Sequence, residues 1–232
     1  MRALTGSDEL LFLNTTGQTA ALIGLATALT GRTEADLRAQ PLADWEEVLI
    51  TLRSRLIGPR IEAELRCPDC GASIALIFNA SDLPREVPPV PAGLRPLTAG
   101  DLADLEDCGL RGEAALAFLL ARAQPGTVSA PQDPADHLAG LEVLASGLGL
   151  DLATACTDCG VALVSPFDIA AFFGAEMAGL AARLLDEIHL IAGRYHWAED
   201  AILALPFARR QAYITRILAE PLALAARPRA RA

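Results

Sequence analysis

Four of the five cysteines fall into two copies of one spacing, Cys67-Pro68-Asp69-Cys70-Gly71 and Cys156-Thr157-Asp158-Cys159-Gly160. A C-x-x-C turn places two thiolates on one side of a tetrahedron, and two such turns supply the four soft ligands of a closed zinc site. The glycine after each second cysteine permits the tight turn that aims backbone N–H groups at sulfur. The pattern predicts one structural Zn2+ held by Cys67, Cys70, Cys156 and Cys159. A closed four-thiolate shell keeps no open position, so a catalytic zinc is not expected. Two other readings of these residues stand beside it, a disulfide or redox pair and unrelated cysteines. A thioredoxin-like pair needs a βαβ setting that neither motif has. About 85 residues separate the halves, against ~15–20 in a compact four-cysteine site, so the chain between them must fold as an insertion. Cys108 lies in a helical stretch without a partner motif and reads as a small core residue.

Other residues offer less chemistry. His137, His189 and His196 are isolated. Glu187 and His189 stand two apart on a helix and do not face each other, so they make no acid–base pair. The chain has no G-x-S-x-G, no phosphate loop and no H-E-x-x-H, and nothing in it argues for an enzyme. The densest cluster runs from Glu187 to Ile214. It holds Tyr195, Trp197 and Tyr213, three of only four Tyr and Trp residues in the chain, with Arg209 and Arg210 nearby. One reading is a packed helical corner; the other is a docking surface of aromatic and Arg anchors.

The elements that position these residues follow from periodicity. Thr19 to Thr30 is rich in Ala and Leu and reads as helix, ended by Gly31-Arg32-Thr33. A second helix is expected from Asp44, as its cap, to Leu56, with Gly58-Pro59 as the stop. Ile61, Ala63 and Leu65 alternate with polar residues, and so do Ile74, Leu76 and Phe78. This predicts a hairpin with Cys67 to Gly71 at its tip. Pro84, Pro88, Pro89, Pro91 and Pro96 mark an extended linker. Helix resumes at Thr98, with Asp101 completing a capping box, and runs through Ala114 to Arg122 before Pro125-Gly126. A loop with Pro131 and Pro134 leads to a short helix, Ala135 to Ser146. The second knuckle repeats the order of the first: C-x-D-C-G, a short apolar strand, then an aspartate. From Asp168, the residues Ile169, Phe173, Met177, Leu180, Leu184, Ile188 and Ile191 share one helical face, with Gly193 as the expected end. A short helix from Glu199 to Leu205 and a last one through Phe207, Tyr213, Ile214, Ile217 and Leu218 follow.

The fold class expected is α+β, predominantly α-helical, with a small β zinc ribbon made of two distant knuckles. The segments are 1–58 (N-terminal helices), 59–83 (first knuckle hairpin), 84–150 (Pro-rich linker and helical insertion), 151–168 (second knuckle), 169–222 (C-terminal helices) and 223–232 (a flexible Arg-rich tail). The chain is long enough, at 232 residues, for a sizeable core, and hydrophobic residues make up 52% of it. Net charge is −10 and every basic residue is Arg. Such a field repels nucleic acid; the local exception is the end of the chain, with Arg209, Arg210, Arg216, Arg227, Arg229 and Arg231, which reads as a solvated face and tail. There is no secretory h-region after Met1 and no uninterrupted apolar run of ~18–20 residues, so a cytoplasmic protein without a membrane span is expected.

The run Tyr195-His196-Trp197-Ala198-Glu199, then Ile202 to Pro206, then Arg209-Arg210 and Tyr213, resembles the C-terminal signature of baseplate proteins, or baseplate hub assembly chaperones, of the T-even phage type. These are encoded with contractile phage tails and contractile injection systems. Leu52-Arg53, Gly58 and the strand into Cys67-Pro68-Asp69-Cys70-Gly71 resemble that family's approach to its cysteine knuckle. The resemblance covers the N-terminal and last thirds. It implies a non-catalytic role in building a baseplate, with a baseplate, hub or spike protein as partner; the partner-binding surface is the one the aromatic and Arg cluster itself suggests, Tyr195, Trp197, Arg209, Arg210 and Tyr213. A zinc-ribbon nucleic-acid binder or regulator is the alternative, against which the charge argues. A thiol oxidoreductase is a third.

Overall fold

The computed structural model describes residues 2–83, 85, 87, 89–124, 134–145, 147, 148 and 150–225. The expectations at Pro84, Pro88, Pro125-Gly126, Pro131, Ser146 and the tail arginines Arg227, Arg229 and Arg231 lie outside these residues, as does the side chain of His137.

The N-terminal helices are α1 (Gly6–Glu9), α2 (Leu11–Asn14), α3 (Gln18–Thr30), α4 (Glu34–Arg38) and α5 (Leu42–Leu56). A first hairpin follows, β1 (Arg60–Arg66) and β2 (Ser73–Asn79), then α6 (Ala99–Asp107), α7 (Glu113–Ala123) and α8 (Pro134–Ala145). A second hairpin, β3 (Asp151–Ala155) and β4 (Ala162–Pro166), leads into α9 (Ile169–Tyr195), α10 (Glu199–Leu203) and α11 (Phe207–Ala225). The protein is mostly helical with two separate antiparallel two-stranded sheets, the fold class its patterning implies.

Helix α9 is the spine, about 40 Å long at 1.5 Å per residue. Ile169, Phe173, Met177, Ala181, Leu184, Ile188 and Ile191 are buried along it at spacings of three and four. Its first half packs into the main core with Leu22 and Leu25 of α3 and with Trp45, Leu49 and Leu52 of α5. Its second half packs against Ile202 and Ile214. Asp168 caps the start, accepting the Ala171 N–H at 2.9 Å. The helix does not stop at Gly193. It runs on to Tyr195 and ends on His196 in the left-handed region, φ 55°. A glycine lowers helix propensity without ending a helix whose next residues pack, and histidine is among the residues that tolerate positive φ.

Two other boundaries differ from the sequence reading. Helix α5 begins at Leu42, so Asp44 lies in its first turn and is not the cap. The start is held instead by exchange with the start of α6: Leu42 N–H donates to Leu97 O at 3.0 Å and Ala99 N–H donates to Gln40 O at 3.0 Å. One orphan donor at each helix start is thus met by backbone. The Thr98–Asp101 capping box forms as expected, but the helix after it breaks at Gly109 (φ 63°) and Gly112 (φ 57°). Cys108 ends α6 and is exposed, not a core residue. Helices α7 and α8 close a small core of their own with Leu42, Leu97, Ala123, Leu141 and Leu144.

Glu46 tethers α5 to the approach of the second hairpin by accepting the Leu148 N–H at 2.7 Å. Burial pushes its carboxyl up to about 7; the Leu148 bond opposes this, and the Asp168 charge adds to it. Its folded pKa lies above the unfolded ~4.3. Stability is therefore lost as pH rises from about 4.5 to about 7 and is constant above that. Glu46→Gln keeps an acceptor for Leu148 and removes the ionisation. We expect it to be more stable than the parent by about 1–2 kcal/mol at pH 8 and nearly equal to it at pH 5, the discount from the full shift reflecting partial solvent access. Denaturant melts at the two pH values measure this.

Candidate metal centre

Each hairpin carries its cysteines at the tip. In the first, Arg60 pairs with Asn79 and Arg66 with Ser73, which puts Ile61, Ala63 and Leu65 on one face with Ile74, Leu76 and Phe78. In the second, Asp151 pairs with Pro166 and Ala155 with Ala162. The two tips are built alike. Cys67 N–H donates to Ala72 O and Gly71 N–H to Cys67 O, both at 2.9 Å. Cys156 N–H donates to Val161 O at 2.9 Å and Gly160 N–H to Cys156 O at 3.0 Å. Gly71 and Gly160 both have φ 75°, a conformation that a side chain resists. The internal repeat read from the sequence is a repeat of structure.

The tips meet. Cys67 and Cys156 are buried with Ile74, and Leu65, Leu76, Val161 and Leu163 pack around them. Sγ of Cys67 stands 3.7 Å from Sγ of Cys159, and Sγ of Cys70 stands 3.6 Å from Sγ of Cys156. All four sulfurs lie within 4.8 Å of one another, and the five cysteines of the chain are free. Backbone dipoles are set for negative sulfur. The Cys159 and Asp158 N–H groups draw the Cys156 thiol down to about 7. At Cys70 the Ala72 N–H acts the same way, yet the neighbouring thiols of Cys67, Cys156 and Cys159, together with desolvation, push the group up to about 12. Cys159 is raised too, with the Val161 N–H outweighed by burial and the thiols beside it. Cys156 thus favours the thiolate while Cys70 and Cys159 resist it, a conflict that a cation among them relieves. The cluster can hold one metal ion.

The hairpins are anchored at their bases. Phe78 and Phe167 meet edge to face at 5.5 Å, and Phe167 meets Phe172 at 5.4 Å. Arg53 of α5 is buried and donates to both oxygens of Glu176 on α9 at 3.0 and 2.8 Å. It also donates to Gly58 O at 2.8 Å and Arg60 O at 2.7 Å, where β1 begins. Arg53→Ala leaves a half-buried carboxylate and two carbonyls unpaired. We expect a loss of about 2–3 kcal/mol, read as a lower urea midpoint with metal content unchanged.

The aromatic cluster is real but partly internal. Tyr195, Trp197 and Tyr213 are half-buried and packed on each other, with ring centroids 5.0 to 5.5 Å apart. Arg209 is exposed, whereas Arg210 is completely buried and is not available at the surface. Arg210 donates to both oxygens of Glu9 at 2.7 and 2.6 Å and to Glu187 at 2.6 Å. Burial lifts the Glu9 carboxyl above its usual range despite Arg210. Sequence reasoning missed these charged tethers. The available signal was phase: Arg210 occupies an inward position in the series Phe207, Arg210, Ile214, Ile217, and Arg53 sits beside Leu52 on the buried side of α5.

Residues 1–91 match the family model described as T4 bacteriophage base plate protein. Among curated proteins and among solved structures, nothing matches the chain. The matched stretch holds Glu9, Arg53, Cys67 and Cys70, while their partners Arg210, Glu176, Cys156 and Cys159 lie beyond it. No helix of the described residues is long and apolar enough to cross a membrane. The N-terminal part of the resemblance is thereby borne out, and the match of residues 1–91 to T4-type base plate proteins supports a component of a phage baseplate.

Proposed function

We propose that this protein is a non-catalytic assembly factor (chaperone) or structural component of the baseplate of a contractile phage tail or contractile injection system, and that Cys67, Cys70, Cys156 and Cys159 hold one Zn2+ in a split zinc ribbon. The observation that carries the reading is the baseplate family match over residues 1–91. Zinc is favoured by the donor set. Four sulfurs at ~2.3 Å from a tetrahedral ion stand about 3.8 Å apart, close to the 3.6 and 3.7 Å of two pairs across the tips. With the site filled, the ion joins the helical segment 1–58, through its hairpin, to the C-terminal helices 169–222; the 84–150 insertion packs to one side. The ion supplies cohesion and no chemistry at a substrate.

The partner is a baseplate, hub or spike protein, met in the cytoplasm where the particle is built. The half-buried rings of Tyr195, Trp197 and Tyr213 and the exposed Arg209 are the surface we assign to it, with Arg210 as its internal support. The test is deletion and tagging in the producing host. Co-purification with a hub or spike protein, and loss of sheathed particles on deletion, are expected. Presence in finished particles identifies a resident component, and absence from them an assembly factor. Normal particle yield on deletion would sink the proposal. In the same assay Trp197→Ala with Arg209→Ala should reduce recovery of the partner about tenfold or more.

A further inference from the structure

We infer that the groove at the C-terminal end of α5 is a docking site for an acidic, apolar segment of a baseplate partner, an inference that rests on the baseplate reading above. Two cavities of about 470 and 230 Å³ adjoin there and share Leu4, Leu56 and Phe207. Ile57 and Leu180 extend the apolar wall, and Ile57 is 43% exposed. The floor is fixed by backbone: Phe207 N–H donates to Leu4 O at 2.8 Å, and Thr5 bridges to Pro206.

Gly179 of α9 holds the groove open. A Cβ there would meet nothing within 4 Å. Glycine inside a helix costs stability relative to alanine, and at the buried Gly174 of α9 the fold gives a reason for it. At Gly174 a Cβ would stand 2.5 Å from the Gln18 side chain. At Gly179 there is no such contact, and what the residue leaves is room in the groove.

Charge selects the occupant. Arg55 and Arg183 line the two cavities and are exposed. Among the described residues no carboxylate pairs with either, while the acid of the groove, Glu176, is taken up by Arg53. A chain of net charge −10 therefore presents here, around an apolar floor, guanidinium groups that no carboxylate of the described residues pairs. Apolar anchors flanked by Glu or Asp fit it, the anchors filling the cavities and the carboxylates meeting the arginines.

The probe is a fluorescein-labelled amphipathic peptide of Leu, Ala and Glu, about 16 residues long so that it can fold on the groove. Its control has every Glu replaced by Lys. Fluorescence anisotropy is measured with the full chain at ~50 mM NaCl, where surface charge is little screened. The acidic peptide is expected to bind about tenfold more tightly than the basic one, against the net charge of the protein. Gly179→Leu, which fills the groove, and Arg55→Glu with Arg183→Glu should each weaken it about tenfold at unchanged melting temperature and metal content. Tighter binding of the basic peptide, or no effect of Gly179→Leu, would overturn the inference. So would a dimer abolished by Gly179→Leu, which would make the occupant a second copy. Particle assembly separates the two claims. If Gly179→Leu assembles normally where deletion does not, the groove is wrong and the baseplate role stands. If the peptide behaves as expected while deletion leaves assembly intact, the groove stands and the baseplate role falls.

Discussion

Removal of the metal, by a chelator or by Cys67→Ser or Cys156→Ser, is expected to lower the melting temperature by about 10–15 °C. That corresponds to roughly 3–5 kcal/mol for a chain of this size. The purified protein should carry one zinc per chain, and each substitution should abolish it. The effect is large because the ion holds together two hairpins that come from distant parts of the sequence and whose tips meet in a small apolar contact around Ile74. Without it, Cys67 and Cys156 leave a buried cluster, and the packing of Phe78 on Phe167 must hold the hairpins unaided. Cobalt substitution gives a second readout, since thiolate-to-cobalt charge transfer strengthens with the number of coordinating thiolates and is greatest for four. Cys108→Ser is the internal control: Cys108 is exposed, remote from the cluster in the fold, and should change nothing. A protein with no metal and the same melting temperature would remove the zinc assignment.

Arg210→Met should be the most damaging substitution outside the metal centre, costing about 3–5 kcal/mol. It strands Glu9, which is fully buried, and leaves the partly buried Glu187 with Gln211 as its remaining partner. Arg210→Lys should not rescue it, because a single ammonium cannot serve both carboxylates as the planar fork does. The deficit should depend on pH. Once the guanidinium is gone, burial raises Glu9 further, so the folded chain holds a proton that the unfolded one releases. Stability then falls as pH rises from about 4.5 through neutrality. Arg210→Met combined with Glu9→Gln should recover much of the loss. Urea midpoints at pH 5 and pH 8 for the three variants measure all of this. A single variant with unchanged stability would show that the ion pair contributes nothing.

The metal site was legible because C-x-x-C-G fixes its own local geometry: the turn, the glycine and the two sulfurs are neighbours in sequence. Most of the helices were legible too, through phase, as in the buried series of α9 from Ile169 to Ile191. What sequence could not convey was where partners lie when they are far apart. Leu42 N–H donates to Leu97 O and Ala99 N–H to Gln40 O at two helix starts, a contact with no side-chain signature. Arg210 looked like half of a surface Arg-Arg pair, since its phase with Phe207 and Ile214 carries meaning only once the acid opposite is known. Cys108 looked like core because a helical stretch was expected to continue through Gly109 and Gly112, whose positive φ ends it.

The distance between the two knuckles also sets a clock. The hairpin with Cys67 and Cys70 leaves the ribosome well before Cys156 and Cys159 do. At ~5–20 residues per second, synthesis of the 85 or so residues between them takes roughly 4–17 s. For that interval the nascent chain offers two thiols, a buried-type arginine and a buried-type glutamate, all without their mates. The region that carries the baseplate match is made before the segments that complete it, so a ribosome stalled between the two motifs should hold a chain that proteases and misplaced metals can reach.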